Sequence, residues 1–97
     1  MNFEEMEKKV LEWGRQKGIL SESSFVHQMV KLEEEFNELR DASCEENVID
    51  GIGDMLVVLT FIANFYDVNL SYCYTYAYNQ IKDRKGKMVN GFFVKDN

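Results

Sequence analysis

The sequence predicts an all-α protein, a four-helix bundle-like protomer with a short hairpin-like tail. Two observations carry this prediction. The 97 residues include no proline, which would interrupt helices, and apolar residues recur at spacings of three and four along most of the chain. A chain of this length forms one domain, 1–97, with a limited core, and we expect its subunits to associate into an oligomer.

The first two helices are predicted from their apolar stripes. In the first helix the stripe consists of Phe3, Met6, Val10 and Trp13. The glycine- and serine-rich stretch 14–24 then breaks the pattern. The second helix is predicted from about Ser23 to Ala42, and its stripe consists of Phe25, Met29, Leu32, Phe36 and Leu39.

The third helix is predicted to follow almost without a loop. Ser43 with Glu46 three residues later is a capping-box pattern, and the helix then runs to about Tyr66. From Ile52 onward its residues are apolar nearly all round, which is typical of a central helix covered on every side.

The last part of the chain combines a helix with a tail. Asn69 is a plausible N-cap for a fourth helix that runs to about Lys85, and Gly86 suits the end of that helix. In the tail, 86–97, an Asn-Gly pair lies between apolar residues and predicts a β-hairpin. A two-stranded hairpin alone is marginally stable, so we expect it to lie on the bundle or on a partner subunit.

The composition limits the classes of partner. A net charge of −6 and a pI near 4.7 argue against nucleic acid, because nucleic-acid-binding surfaces are basic. The apolar run 55–65 is about half the length of a membrane span, so no membrane partner is expected. Cys44 and Cys73 are far apart and the N-terminus lacks a signal-peptide pattern, which favours a cytoplasmic protein with reduced thiols.

Two acidic stretches predict a metal site. On the second helix Glu34, Glu35 and Glu38 share one sector, and on the third helix Asp50 and Asp54 share a face that continues into apolar residues. Carboxylates that point toward a bundle interior repel one another, and Mg²⁺ would relieve that repulsion. The alternative interpretation is a solvated acidic face, with Asp50 offsetting the dipole of its helix.

These stretches, "KLEEEFNEL" and "DGIGDMLVVL", resemble the motifs of the MazG-like, all-α nucleoside triphosphate pyrophosphohydrolases. Glu34, Glu35 and Glu38 match the EExxE motif of that family, and Asp54 matches the aspartate of its ExxD motif. Gly51 stands where the family has the glutamate, so Asp50, one residue earlier, would have to replace it. The resemblance covers roughly residues 25–87, and the tail resembles that of small phage-type members.

The resemblance implies hydrolysis of a nucleoside or deoxynucleoside triphosphate to the monophosphate and pyrophosphate, as in nucleotide-pool sanitation. It also implies Mg²⁺ binding, with Mn²⁺ as an alternative, and a homo-dimer or homo-tetramer. The metal ligands would be Glu35, Glu38, Asp50 and Asp54. Glu34 would orient or deprotonate the attacking water. The catalytic residues would be Glu34, Glu35 and Glu38.

The candidate substrate-binding residues are spread over three predicted helices: Trp13, His27, Gln28, Lys31, Asn79, Lys82, Arg84 and Lys85. The cations near the end of the fourth helix could instead offset its dipole, and Trp13 and His27 could serve packing or pair with a glutamate. The competing functional class is a non-catalytic helical module for metal or nucleotide binding, or for oligomerisation.

Overall fold

The computed structural model describes all 97 residues and is mostly helical, which confirms the predicted helical character. It contains five helices and one antiparallel two-stranded hairpin. In chain order these are α1 (Phe3–Gln16), α2 (Ile19–Glu22), α3 (Phe25–Arg40), α4 (Glu45–Phe65), α5 (Leu70–Ile81), β1 (Gly86–Val89) and β2 (Phe92–Lys95).

Side-chain caps explain where three helices begin. The Asn2, Ser24 and Asn69 side chains accept hydrogen bonds from backbone N–H groups three residues later, at 2.8, 3.3 and 2.7 Å. The predicted Asn69 cap is therefore confirmed. The predicted capping box at Ser43 is wrong, because Cys44 takes the extended N-cap conformation and α4 begins without a side-chain cap.

The joints differ from prediction in two places. The stretch between α1 and α3 contains the one-turn helix α2, which follows Gly18 in a left-handed conformation with φ of 80°. The last helix ends at Ile81 rather than Lys85, and Gly86 lies in β1 opposite Lys95 instead of ending a helix. Its backbone approaches β2 so closely that a Cβ would lie 2.2 Å from the Val94 carbonyl oxygen.

The hairpin itself is confirmed. Asn90 and Gly91 connect β1 and β2 with φ values of 51° and 89°, the left-handed conformations that a type I′ turn requires. Every residue of both strands is exposed, so the hairpin does not lie on the helices of its own chain.

The centre of the fold is α4, which packs against α3, α1 and α5. A short connection folds α4 back along α3, and the buried apolar side chains are Val58, Phe61 and Ala63. Gly14 of α1 lies directly against the Phe61 ring, and Trp13 stacks on the same ring with 6.4 Å between centroids. Close packing of α1 on α4 therefore depends on a residue without a side chain.

The prediction that this helix is covered on every side is wrong for a single chain. In the first and middle turns of α4, Ile49, Ile52 and Leu56 remain exposed, and Ile49 and Leu56 line a cavity that α1 and Leu70 border without filling. By length and composition alone α4 could cross a membrane, with a mean hydropathy of 1.7 over 18 residues, but a core helix passes the same test. It packs against three other helices, with 28% of that stretch buried in a single chain.

The start of α5 is fixed by a buried carboxylate from the other end of the chain. Glu7 of α1 accepts hydrogen bonds from the Leu70 backbone N–H and from the Ser71 hydroxyl, the latter at 2.9 Å. The Leu70 N–H is one of the backbone donors that a helix N-terminus otherwise leaves unpaired. Beyond Ser71, every residue to the end of the chain is exposed.

Gly14→Ala is expected to lower the free energy of unfolding by about 1–3 kcal/mol, the usual effect of overpacking a core. The added Cβ would lie 2.5 Å from a Phe61 ring carbon, and that ring is buried. Gly53→Ala is the matched control, because nothing lies within 4 Å of its Cβ position. It should raise stability by about 0.5–1 kcal/mol, and urea unfolding that orders the two variants the opposite way would contradict this packing.

Candidate metal centre and adjoining cavity

Three carboxylates from α3 and α4 meet at one point. Glu35 faces α4 and is 6% exposed, whereas Glu38, one turn later, and Asp54 of α4 are open to solvent. One carboxylate oxygen from each of the three lies within 4.8 Å of the other two. The structure thus brings together three of the four predicted metal ligands.

The two oxygens of Glu35 have different surroundings. Oε1 lies 3.2 Å from Nζ of Lys31, one turn earlier on α3. Oε2 is buried and accepts no hydrogen bond. A buried charged oxygen without a partner costs free energy, so either a shared proton or a cation is needed at Oε2.

The pKa values of the cluster reflect this crowding. The neighbouring Glu35 raises the pKa of Glu38, because only the protonated form can donate a hydrogen bond to it and because the two charges repel. Partial desolvation raises the pKa of Asp54, although its side chain is open to solvent, and the charges of Glu35 and Asp50 add to this rise. Hydrogen bonds to Glu35 and Glu34 raise the pKa of Lys31.

These residues fit a hard divalent cation. All the ligand atoms on offer are carboxylate oxygens, the donors that Mg²⁺ and Mn²⁺ prefer. Lys31 alone cannot neutralise the group, because it is a single cation shared between Glu34 and Glu35. Glu35, whose Oε2 has no partner, belongs to the same group as Glu38 and Asp54, and these three residues would hold the cation.

Asp50 lies outside the three-carboxylate group. Its charge contributes to the raised pKa of Asp54, and its side chain lines a different cavity. Gly51, at the position of the family glutamate, is buried against α3, where an added Cβ would lie 3.0 Å from Cβ of Leu39. The Cβ of a glutamate at position 51 would therefore lie within the packed contact between α3 and α4.

A cavity of about 400 Å³ opens beside Glu35 and Asp54. Its lining comes from α1, α2, α3 and α4: Trp13, Ile19, His27, Gln28, Lys31, Glu35, Asp54, Val57, Val58 and Phe61. Four of the predicted substrate-binding residues, Trp13, His27, Gln28 and Lys31, thus lie together next to the acidic group. Sequence reasoning misses Ile19, because its segment has the glycine and serine pattern of a break rather than of a helix.

The polar residues of this cavity are held by local hydrogen bonds. The Ser24 hydroxyl lies 2.8 Å from Nδ1 of His27, and the Gln28 amide nitrogen donates to the Ser23 hydroxyl at 3.0 Å. Phe61 covers one face of Trp13, whose side chain remains about half exposed. The cavity therefore combines an aromatic wall with positioned polar groups, as small-molecule sites do.

A second cavity, of about 380 Å³, lies on the α1 side of α4. Asp50 and Asp54 reach it, together with Glu7, but its other lining residues are mostly apolar and none is a lysine or an arginine. The only charged side chains in this lining are carboxylates, which would repel an anionic ligand. The cavity that contains Lys31 and Glu35 is the better candidate for an anion carried with a metal.

The remaining predicted residues lie elsewhere. Asn79 belongs to α5, while Lys82, Arg84 and Lys85 follow it, and all four are exposed and line neither cavity. Glu34 is exposed and pairs with Lys31 at 3.4 Å, beside the carboxylate group but not within it.

Comparison with protein families, curated proteins and solved structures finds no match for this chain. The resemblance to the MazG-like family thus rests on the sequence alone, chiefly on the two motifs. A function for the chain has to be inferred from the side chains that those motifs bring together.

Replacing Glu38 with glutamine is expected to raise the free energy of unfolding of the metal-free protein at pH 7. The pKa of Glu38 in the folded state lies above its ordinary value of 4.5. Ionisation of Glu38 therefore lowers the free energy of unfolding as the pH rises above 4.5. The cost is absent below pH 4.5. The gain should therefore shrink as the pH falls from 7 to 4 in urea titrations with EDTA.

Glu33→Gln serves as the control, because Glu33 is exposed on the same helix but is not part of the acidic group. A loss of stability for Glu38→Gln at pH 7, or a gain that persists unchanged at pH 4, would contradict the proposed repulsion.

Proposed function

We propose that this protein is a Mg²⁺-dependent nucleoside triphosphate pyrophosphohydrolase that releases a nucleoside monophosphate and pyrophosphate. The observation that carries the proposal is Glu35, whose Oε2 is buried without a partner and which belongs to a group of three carboxylates beside a cavity with an aromatic wall. A cation would satisfy such a group, and the cavity has room for an organic ligand next to it.

Glu35, Glu38 and Asp54 would hold the metal, Mg²⁺ or alternatively Mn²⁺. When bound, the metal neutralises triphosphate charge and makes the attacked phosphorus more electrophilic. The chain supplies little positive charge of its own at this point, since Lys31 is the sole cationic side chain in the cavity lining.

Lys31 is placed to bind phosphate. Its ammonium group lies 3.2 Å from Glu35 and 3.4 Å from Glu34. A bound cation would share the negative charge of Glu35, and Lys31 could then donate hydrogen bonds to a phosphate oxygen in the cavity. Its side chain is half exposed, so this movement needs no change in the helix.

Glu34 is the candidate base for the attacking water. Its carboxylate is solvent-exposed and lies beside Lys31, so water can reach it without opening the fold. A carboxylate at this position can orient a water molecule and accept its proton as the bond to phosphorus forms. Glu35 and Glu38 are committed to the metal, which leaves Glu34 as the acid of the EExxE motif available for this role.

The base of the nucleotide would occupy the part of the cavity lined by Trp13, His27 and Gln28. Trp13 offers an indole ring that is about half exposed, suited to stacking on a base. The side chains of His27 and Gln28 offer hydrogen-bonding groups at the same wall. A cavity of about 400 Å³ is in the range of sites for small organic ligands.

We further propose that the active form is a homo-dimer or homo-tetramer. Neither of the two cavities described above is lined by Asn79, Lys82, Arg84 or Lys85, so these residues would contact substrate bound in the cavity of a neighbouring subunit. If they make none, the three cations offset the dipole at the end of α5 instead.

Glu38→Gln is expected to reduce pyrophosphate release at least about 100-fold, because it removes a charge from the site that stabilises the reacting triphosphate. The assay uses a panel of standard and modified nucleoside triphosphates with Mg²⁺, and with EDTA as the metal-free reference. Glu12→Gln, at an exposed position of α1 outside the carboxylate group, the cavities and the α3 surface, should keep wild-type activity. Wild-type turnover in Glu38→Gln would contradict the proposed active site.

Titration calorimetry with Mn²⁺ separates the two functional classes. Binding that is lost in Glu38→Gln, together with no turnover of any triphosphate by the wild-type chain, would indicate a non-catalytic metal-binding module. Absence of both binding and turnover from folded protein would contradict the metal site as well.

Asp50→Asn is expected to reduce activity less than about 10-fold, a loss of roughly 1.4 kcal/mol or less in transition-state stabilisation. Asp50 lies outside the three-carboxylate group and acts on it only through its charge on Asp54. The measurement is kcat/KM on the best substrate of the panel. A loss as large as that of Glu38→Gln would make Asp50 a fourth ligand and would restore the prediction from sequence.

A further inference from the structure

The last 28 residues form an arm that is attached to its own chain only at its start. We define the arm as residues 70–97, which comprise α5, β1 and β2. Glu7 holds its first turn, and every residue from Tyr72 onward is exposed. The exposed side chains are largely aromatic or apolar, and include Tyr72, Tyr74, Tyr76, Tyr78, Met88, Phe92, Phe93 and Val94.

The exposed surface is larger than a monomer of this mass should have. Folded monomers of 11.4 kDa expose about 5,800 Å², whereas this chain exposes 7782 Å². Its radius of gyration is 15.9 Å, against roughly 12.5 Å for a compact chain of this length. The excess of about 2,000 Å² exceeds the roughly 800 Å² per partner that a standard interface buries.

Charge is divided unequally between the arm and the rest of the chain. The arm contains five lysines and arginines against two aspartates, a net charge of +3. Residues 1–69, the body, contain six against fifteen acidic residues, a net charge of −9. Electrostatics therefore favour contact of an arm with a body over contact of two arms or of two bodies.

The body carries an apolar groove that nothing in its own chain covers. The groove lies along α3 and at Met55 of α4, with a volume of about 470 Å³, and is lined by Val26, Met29, Val30, Leu32, Glu33, Phe36 and Met55. Val26 is 68% exposed and Val30 is 56% exposed. By helical periodicity these two residues face away from Lys31 and Glu35, so the groove is separate from the candidate metal centre.

We propose that the arm of one copy packs across the α3 groove of a second copy, in a reciprocal exchange that forms a two-fold dimer. The exposed aromatic side chains of the arm would cover the groove, and the arm's positive charge would lie on the acidic body. A two-fold arrangement uses the same contact twice and leaves no free arm. This inference rests on the self-association within the proposed function and is independent of its catalytic part.

Sedimentation velocity on four full-length chains tests the exchange. Val30→Glu alters the groove and Phe92→Glu alters the arm, where Phe92 is 74% exposed. Each is expected to weaken dimerisation at least about 10-fold. Ile49→Glu places the same charge at an exposed apolar site of α4 outside both surfaces and should leave the wild-type dimer intact.

Mixing the two weakened variants gives the decisive result. An intact arm from Val30→Glu can pack on the intact groove of Phe92→Glu, so an equimolar mixture should form dimers that neither variant forms alone. A mixture that stays monomeric, while circular dichroism shows both variants folded, would overturn the proposal. A wild-type chain that is monomeric, or single variants that dimerise normally, would overturn it as well.

Salt provides a second test on the unaltered chain, should either variant fail to fold. Contact between a +3 arm and a −9 body should weaken several-fold between 50 and 500 mM NaCl, whereas a dimer unaffected by salt would contradict the charge argument. Pyrophosphate release is measured on the same samples. Turnover by a monomer would contradict the exchange and leave the catalytic proposal standing. A reciprocal dimer without turnover would support the exchange and contradict the catalytic proposal.

Discussion

The contact between α3 and α4 is the constraint on which the rest of the molecule depends. It buries Glu35, it contains Gly51 against Leu39, and it fixes where Glu38 and Asp54 meet. An apolar side chain at position 35 would pack there at less cost, because a buried carboxylate must give up hydration. The fold therefore keeps a carboxyl group where packing alone disfavours it, and such positions commonly serve a ligand.

Much of the fold follows from local signals in the sequence. The apolar stripes, the Asn69 cap and the Asn-Gly turn each depend on neighbouring residues, and each appears in the structure. The failures arise where a choice depends on distant parts of the chain. Gly86 has the composition of a helix end, but the approach of Val94 across the hairpin determines its position. No periodicity within α5 contains that information.

The candidate site shows the same difference between what local spacing predicts and what contacts between distant residues determine. Helical spacing is enough to place Glu35 and Glu38 on one face and to direct Asp54 toward them. Spacing cannot separate Asp54 from Asp50, since residues four apart share a face of any helix. The difference lies in the tertiary packing: Asp54 lines both cavities, whereas Asp50 lines only the one on the α1 side. Local sequence patterns also cannot predict the position of the arm, because that position depends on a contact with Glu7, which is far from the arm in sequence.

The link between Glu7 and the first turn of α5 has a consequence for the order of folding. Its partners are 63 residues apart, so closing this contact costs more chain entropy than any helix turn does. The arm follows the body in the chain, so on the ribosome it emerges after the helices of the body can already form. Under the proposed exchange, a body would therefore acquire its anchored arm only after its own helices have formed, and pairing with a second copy would come late in folding.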